Sequence, residues 1–299
     1  MAIAFAHSTY FAPRGKKRLM MLGNNLTLRY LRPDDNLVGL IGEAGAGKSL
    51  LIRGMFPGLT LTNDDQGINL RPLPILSDYR EGRFQTHTYH VDIRFESAFN
   101  QPWELAEAIV AAVNDDRRVV VEHYDLLERS IKMTPGLLIG VGEEVLVTRP
   151  GVFGPSAQEI KKIVYNSIKY RRMSHTAEDI TSMVIEEMGY TRPPYHSDVK
   201  SGFVLEFEEK PNFSLDKVES RVREYIEKDI PVCHIDDEKI EIGDIEYVCT
   251  GPRIHVRRTG EIKKFRLLKE LRVARDGTYL LAGLVGEDQE HSQFALSQL

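Results

Sequence analysis

Short apolar runs alternate with helical patterns over residues 1–145. Residues 37–41 and 118–122 are apolar stretches of the kind that forms buried parallel strands, and residues 86–95 alternate as a strand does. Residues 48–55 and 102–113 repeat their apolar positions with helical spacing. Strands that alternate with helices predict a parallel β-sheet covered by flanking helices.

The second half of the chain has a different pattern. One long helix, or two joined near Met173, is predicted over residues 157–189, and an amphipathic helix over 214–229 begins with Ser214 as a capping residue. Strands are predicted over residues 144–148, 202–208, 239–242, 246–249, 254–256 and 262–267. Helices and strands in this arrangement are typical of an α+β domain.

A dense group of turn-forming residues lies between the two halves. Residues 134–156 are rich in glycine and proline, which interrupt regular structure. We therefore predict an α/β domain over residues 1–145, with a parallel sheet and flanking helices, and an α+β domain over residues 146–299.

Composition excludes several classes of protein. The net charge of −5 and the pI near 6.0 argue against a protein that coats nucleic acid through a generally basic surface. Two cysteines are too few for a disulfide scaffold. Because the N-terminal charges follow the apolar stretch and no long apolar run exists, we expect neither a secretory signal, nor a membrane span, nor a membrane partner. These features favour a cytoplasmic protein.

The segment after the first apolar strand matches a phosphate-binding pattern. Residues 42–49 read GEAGAGKS and fit G-x-x-x-x-G-K-[ST] at every position. Backbone N–H groups of such a loop point at phosphate oxygens, the lysine reaches the β- and γ-phosphates, and the serine hydroxyl binds magnesium. The nucleotide-binding residues predicted in this way are Gly42, Glu43, Ala44, Gly45, Ala46, Gly47, Lys48 and Ser49. The plain alternative is a chance match in an unrelated turn.

A magnesium-nucleotide site also needs a carboxylate at the end of a neighbouring strand. Glu122 ends the 118–122 run and Asp125 follows it, so both are candidates for a catalytic role beside Lys48. Further options are the pairs Asp64 with Asp65 and Asp92 with Arg94. This half resembles the small P-loop kinases, and because it lacks the guanine-reading N-K-x-D motif we expect ATP with Mg²⁺ rather than GTP.

Metal-binding residue types occur in two places in the second half. His175 and Asp179 are four residues apart, which places them on one face of a helix. Cys249 and His255 lie in one short segment and bring the set to four donors, a combination that suits Zn²⁺. The plain alternative is a polar helix histidine and a small core cysteine.

The second half resembles the editing domain shared by alanyl- and threonyl-tRNA synthetases. The family's H-T-A-x-H helix corresponds to residues 175–179, with aspartate in place of the second histidine. Its "PV" element corresponds to Pro231 and Val232, and its C-G-G-T-H-V and T-G-E-I elements correspond to residues 249–256 and 259–262. The Cys-to-His spacing is two residues longer here, which leaves open that Cys233 or His234 replaces His255.

The resemblance implies a zinc-dependent activity. The family domain hydrolyses wrongly charged aminoacyl-tRNA, so we expect an ATP-binding protein that deacylates such a tRNA or acts on a related aminoacyl nucleotide. A basic stretch before His175 is a candidate contact for the acceptor stem, with a solvated helix face as the alternative; it contains Lys161, Lys162, Lys169, Arg171 and Arg172. Two other functions stay open: a nucleoside-type kinase that uses the second half to recognise its substrate, and a nucleotide switch with a structural metal.

Overall fold

A computed structural model describes residues 7–62, 70–151 and 154–287. The chain forms two compact units. The first comprises Met1–Tyr10 and Lys16–Asn166, and the second comprises Phe11–Gly15 and Ser167–Leu299, in each case as far as these residues are described. The division lies inside a long helix, further along the chain than the predicted boundary between residues 145 and 146, because the start of that helix packs with the first sheet.

The described part of the first unit contains a six-stranded sheet. Its strands are β1 (His7–Phe11), β2 (Leu37–Gly42), β3 (Thr88–Asp92), β4 (Arg118–Glu122), β5 (Leu137–Val141) and β6 (Glu144–Thr148). Their order across the sheet is β1-β6-β5-β2-β4-β3. Strands β5, β2, β4 and β3 are parallel, whereas β6 is antiparallel to β5, so the sheet is mixed rather than wholly parallel.

The parallel strands bring their carboxyl ends to one edge of the sheet. Asp92 at the end of β3 is in register with Glu122 at the end of β4, and Leu40 of β2 is in register with the same Glu122. The 42–49 segment follows β2 at this edge. In open parallel sheets this edge is where ligands bind.

Helices cover the first sheet and complete its core. They are α1 (Lys16–Tyr30), α2 (Lys48–Met55), α3 (Pro74–Glu81), α4 (Ile93–Glu96), α5 (Pro102–Asn114) and α6 (Tyr124–Leu127). Helices α1 and α2 approach closely: a Cβ atom added at Gly54 would lie 2.0 Å from the backbone oxygen of Met20. Glycine is therefore required at Gly54 by the packing of the helix that carries Lys48.

The second unit is built around the later part of α7 (Ala157–Glu187). Its other elements are β7 (Tyr195–Val199), β8 (Gly202–Phe207), α8 (Leu215–Glu227), β9 (Val232–His234), β10 (Lys239–Ile242), β11 (Ile245–Val248), β12 (Arg266–Leu267), β13 (Arg272–Val273) and β14 (Tyr279–Leu284). The described strand pairs here are antiparallel, in one sheet of β9 to β11 and another of β7, β8, β12, β13 and β14. The side chain of Ser214 caps α8, as predicted.

The predicted elements and the observed ones differ at identifiable places. The predicted strand over 86–95 ends at Asp92, because that side chain accepts a hydrogen bond from the backbone of Phe95 and starts a helical turn. The predicted strand over 254–256 is wrong, and of 262–267 only the last two residues are a strand. Among the described helices, none combines the length and the apolar character that crossing a membrane requires.

Candidate functional site

The 42–49 segment forms a tight loop between β2 and α2. Gly45 and Gly47 have φ angles of 77° and 96°, in the left-handed region that favours glycine. Space is also limited, because a Cβ atom added at Gly42 would lie 2.6 Å from the backbone oxygen of Val141. The sequence therefore needs its glycines here to turn the chain directly into α2, which begins at Lys48.

Side chains from this loop meet the end of β4. Lys48 is only 4% exposed; its Nζ donates to the backbone oxygen of Glu43 at 3.0 Å and lies 3.7 Å from Oε2 of Glu122. The hydroxyl of Ser49 donates to Oε1 of Glu122 at 2.9 Å. Of the two carboxylates proposed from the sequence, one at the end of β4 and one just after it, Glu122 at the strand end is the one in contact with Lys48 and Ser49.

Glu122 is held in its charged form. Burial alone would raise its pKa, but the hydrogen bond from His90, the charge of Lys48 and the hydrogen bond from Ser49 outweigh burial and lower the pKa of Glu122 to about 2. A buried carboxylate that stays ionised at neutral pH is suited to attract a divalent cation or to orient the hydroxyl that binds one.

Two more polar residues lie beside Glu122. Ligand atoms of Asp92, Glu122 and His123 lie within 4.8 Å of one another. Burial and the charge of Lys48 lower the pKa of His123 to about 4, so this imidazole is neutral at physiological pH. Its backbone has a φ of 57°, which turns the chain sharply after β4. The sequence interpretation did not include His123.

The other carboxylates proposed for this site have different positions. Asp125 is buried and pairs with Lys161, whose Nζ lies 2.8 Å from Oδ2. Its described partner is therefore a helix lysine and not a loop residue. Asp64 and Asp65 lie outside the described residues, and Arg94 is exposed.

The four residues predicted to bind zinc come together in the second unit. Ligand atoms of His175, Asp179, Cys249 and His255 all lie within 4.8 Å of one another. Sγ of Cys249 lies 3.3 Å from Nε2 of His175 and 3.7 Å from Nε2 of His255. Oδ2 of Asp179 lies 2.8 Å from Nε2 of His255 and 3.8 Å from Nε2 of His175.

These distances fit a single ion. In a tetrahedral zinc site with bonds of about 2.3 Å to sulfur and about 2.05 Å to nitrogen or oxygen, sulfur and nitrogen donors lie about 3.6 Å apart and the lighter donors about 3.3 Å apart. The sulfur–nitrogen distances of 3.3 and 3.7 Å and the nitrogen–oxygen distances of 2.8 and 3.8 Å lie on either side of those values. The donor set therefore suits Zn²⁺ in chemistry and in spacing.

Hydrogen bonds to groups outside the cluster orient the segment that carries His255. Nδ1 of His255 lies 3.0 Å from the backbone oxygen of Pro252, a partner that fixes Nδ1 as the protonated nitrogen and leaves Nε2 toward the cluster. The N–H of Val256 donates to Oγ1 of Thr176 on α7 at 3.1 Å. The longer Cys-to-His segment thus still brings His255 back to the helix, and Cys233 and His234, exposed on β9, are not part of the cluster.

Two side chains of the cluster have strongly shifted pKa values. Burial and the nearby Asp179 carboxylate raise the pKa of the Cys249 thiol far above its ordinary value. Burial and the neighbouring His255 ring lower the pKa of His175 well below its ordinary value. A neutral imidazole is ready to bind a metal, whereas the thiol binds as thiolate only when a cation replaces its proton.

A buried arginine from the N-terminal segment lies next to this cluster. Arg14 is 4% exposed and pairs with Glu178 and Asp198, each at 2.8 Å. Its backbone oxygen abuts Gly251, where an added Cβ atom would lie 2.3 Å from that oxygen and 3.1 Å from Cε1 of His175. No periodic pattern marks this contact, because it joins residues far apart in the sequence.

The basic residues that precede His175 do not form one free surface. Arg171 is 3% exposed and donates to the backbone oxygen of Pro13 at 2.7 Å. Lys161 pairs with Asp125, as described above. Lys162 and Lys169 are exposed, so only part of the predicted acceptor-stem contact is accessible on the helix surface.

Comparisons with known proteins do not assign the chain to a family. No family model matches it, and no curated protein matches it. One solved structure with some similarity is the ornithine aminotransferase from Toxoplasma gondii, at 12% sequence identity and a TM-score of 0.22. The match covers 73% of this chain and 63% of that chain, so it spans less than two thirds of the aminotransferase. A likeness this low carries no argument about fold or function.

Proposed function

We propose that this chain binds ATP with Mg²⁺ in its first unit and hydrolyses aminoacyl-tRNA in its second unit with the help of Zn²⁺, in the cytoplasm. The observation that carries the proposal is the meeting of four zinc-compatible donors that were selected from the sequence alone. His175 and Cys249 are 74 positions apart, yet their ligand atoms are 3.3 Å apart. The ligand atoms of Asp179 and His255 lie within 4.8 Å of these two atoms and complete a set of four donors.

The residues around the cluster have separable roles in this proposal. His175, Asp179, Cys249 and His255 hold the ion, while Thr176 and Pro252 orient the segment that carries His255. A bound zinc would supply Lewis-acid polarisation to the carbonyl of an aminoacyl ester if its coordination expands to admit that oxygen as a fifth ligand beside the four protein donors. The similarity to the editing domain of alanyl- and threonyl-tRNA synthetases selects this ester over other carbonyl substrates.

The first unit supports nucleotide binding through charge and position. Lys48 begins α2 at the end of the loop, the position from which the lysine of this pattern reaches the β- and γ-phosphates, and those phosphates would replace the Glu43 backbone oxygen as its partner. The hydroxyl oxygen of Ser49 keeps lone pairs for Mg²⁺ while its proton is donated to Glu122. Glu122 stays ionised. The proposal assigns ATP to this site because the chain has no N-K-x-D motif for guanine.

The direct test is hydrolysis of serine wrongly attached to alanine tRNA by the purified full chain, with and without Mg-ATP. We expect loss of the ester in the wild type, and at least about a hundredfold slower loss in His175→Ala, in keeping with removal of a metal ligand. The matched control is His234→Ala, which removes an exposed histidine outside the cluster and should leave the rate unchanged. A difference between the two nucleotide conditions would show coupling of the units.

Equal rates in His175→Ala and His234→Ala would contradict the hydrolase proposal, as would an intact ester in every condition. In the second case a specific observation already favours a different function. Four protein donors fill the tetrahedron of a structural zinc site, whereas catalytic sites usually have three. The chain would then be a nucleotide switch with a structural metal.

A nucleoside-type kinase is the other candidate. It is favoured by the meeting of Lys48, Glu122 and Asp92 at the carboxyl edge of the parallel strands, where a phosphate acceptor would also need to lie. Consumption of ATP that depends on an added nucleoside, and that is lost in Lys48→Ala, would select this function over the switch.

A further inference from the structure

His90 is a buried polar residue that neither predicted site accounts for. It lies in the middle of β3, is 2% exposed, and shares one face of that strand with Asp92. In the register of β3 against β4 it is paired with Val120, two positions before the pair of Asp92 with Glu122. Its ring reaches the side chain of Glu122, at the carboxyl edge that carries the 42–49 loop.

The contacts of His90 fix its tautomer. The backbone N–H of Thr62 lies 3.1 Å from Nδ1, and a backbone N–H can only donate. Nδ1 is therefore the unprotonated nitrogen of the ring, and the hydrogen is on Nε2. Nε2 lies 3.2 Å from Oε1 of Glu122, so this second contact is a hydrogen bond from the histidine to the carboxylate.

The two contacts place Glu122 at the end of a continuous chain of hydrogen bonds. Oε1 of Glu122 accepts from His90 and also from the hydroxyl of Ser49 at 2.9 Å, while Oε2 is directed toward Lys48. Two donors on one oxygen fix the rotation of the carboxylate group. That rotation decides where the Ser49 oxygen directs its lone pairs.

We infer that His90 is a positioning residue, which holds Glu122 in the orientation that makes Ser49 a ligand for the divalent cation of a bound nucleoside triphosphate. The inference rests on the proposed nucleotide-binding function. It extends that function by naming the residue on which the cation contribution to binding depends. The loop backbone and Lys48 would still bind the phosphates without His90, so the effect should be confined to the metal-dependent part of the affinity.

Two matched variants separate the contacts of His90. His90→Asn ends at the δ position, so it keeps an acceptor for the Thr62 N–H but cannot reach Glu122. His90→Gln extends to the ε position and can place an amide N–H against Oε1 of Glu122. Each variant keeps one of the two contacts and both lack the imidazole, so a Mg²⁺-dependent gain that is kept in His90→Gln and lost in His90→Asn reports on the contact with the carboxylate.

The measurement is isothermal titration of the full chain with adenylyl imidodiphosphate, a non-hydrolysable ATP analogue, once with MgCl₂ and once in the same buffer prepared without Mg²⁺. For wild type we expect tighter binding with Mg²⁺. His90→Asn should lose about tenfold of that Mg²⁺-dependent gain, the range found for groups that orient metal ligands. His90→Gln should keep the gain within about threefold. Affinity without Mg²⁺ should be unchanged in both variants.

The outcomes distinguish a failure of the nucleotide-binding proposal from a failure of the role of His90. A wild type that does not bind the analogue in either condition overturns both the nucleotide-binding proposal and the role of His90. Binding that is strengthened by Mg²⁺ to the same extent in wild type and His90→Asn overturns the role of His90 alone.

A measurement on the unsubstituted protein covers the case in which both variants fail to fold. Nitrogen-15 NMR of the histidine side chains distinguishes the two imidazole tautomers. We expect His90 to be protonated at Nε2, with that proton shifting when Mg²⁺ and adenylyl imidodiphosphate are added together. Protonation at Nδ1, or an Nε2 proton unaffected by the addition, would overturn the inference.

Discussion

The two clusters of polar residues differ in how their charges are balanced. In the first unit the buried carboxylate of Glu122 faces Lys48, His90 and Ser49, which favour its charged form even without an added ion. In the second unit the buried thiol of Cys249 faces the carboxylate of Asp179 and the rings of His175 and His255, and burial together with that carboxylate disfavours its charged form. The protein itself holds Glu122 in its charged form, whereas the Cys249 thiol becomes charged only when a cation displaces its proton.

This difference in charge balance indicates how a bound cation would affect the stability of each site. A cation at the first site adds to an arrangement that lysine and hydrogen bonds already hold together. A cation at the second site would replace the thiol proton and draw four donors to one centre, so binding energy there becomes folding energy. The comparison therefore predicts that the second unit, and not the first, depends on a metal for its stability.

Removal of zinc should give the largest effect on stability, and it directly tests whether the second unit alone depends on a metal. With a zinc chelator we expect the unfolding transition of the second unit to fall by about 10 °C or more, as a loss of several kcal/mol would produce. The first unit contains Trp103, the one tryptophan of the chain, so tryptophan fluorescence follows that unit while circular dichroism follows both. A drop seen by circular dichroism alone is the expected result, and restored zinc should reverse it. Equal drops by both signals, or none, would contradict the comparison.

Substitution of the thiol should come next in size. Cys249→Ser keeps the shape of the side chain but removes the soft ligand, so zinc affinity should fall by more than about a hundredfold. Cys233→Ser is the matched control, because that cysteine is exposed and outside the cluster. Competition with a chromogenic chelator measures both affinities. The assignment of Cys249 as a ligand fails if the two variants bind zinc equally well.

The stability of the first unit should respond to packing and not to metal. Gly54→Ala places a methyl group 2.0 Å from the backbone oxygen of Met20, which cannot rotate away, so we expect a loss of about 2 kcal/mol. Urea unfolding followed by Trp103 fluorescence measures it. Gly151→Ala, where an added Cβ atom has nothing within 4 Å, is the control and should cost much less. A tolerated Gly54→Ala would mean that α1 and α2 are less tightly packed than described.

The smallest expected effect concerns the segment that carries His255. Thr176→Val removes the hydroxyl that accepts from the N–H of Val256, so the segment should be less well held and zinc affinity should fall about tenfold. Thr181→Val on the same helix also removes a buried hydroxyl, but one whose hydrogen bond within the described residues goes to the helix carbonyl of Ala177. Zinc affinity that is equal in the two variants would show that Thr176 does not position the ligand segment.

The parts of the molecule that the sequence could predict are those with local patterns. One such part is the continuous stretch of β2, the 42–49 loop and α2. Another is the pair of helices α7 and α8, whose apolar positions repeat with helical spacing, so that the spacing alone predicts a helix. Strand β5 was missed because it lies among glycines and prolines that mark turns. Strand β14 was missed because its apolar residues follow a tail without periodic spacing.

The two candidate sites were likewise predictable only where local sequence patterns mark their residues. His175 and Asp179 share a helix face, which spacing predicts, whereas their meeting with Cys249 and His255 was predicted from residue types and from the family resemblance. The roles of His90 and Arg14 depend on strand register and on contacts across the fold, which no local pattern encodes. The sequence did contain one signal for His90. With Asp92 it forms a pair of polar residues on the same face of a buried strand, near the end of that strand.

X-ray absorption at the zinc edge of the full chain tests the central claim most directly, because it counts the ligands themselves. We predict one bound zinc with a single sulfur neighbour at about 2.3 Å and three nitrogen or oxygen neighbours at about 2.0–2.1 Å, and loss of the sulfur neighbour in Cys249→Ser. A protein that binds no zinc, or a zinc without a sulfur neighbour, would contradict the account.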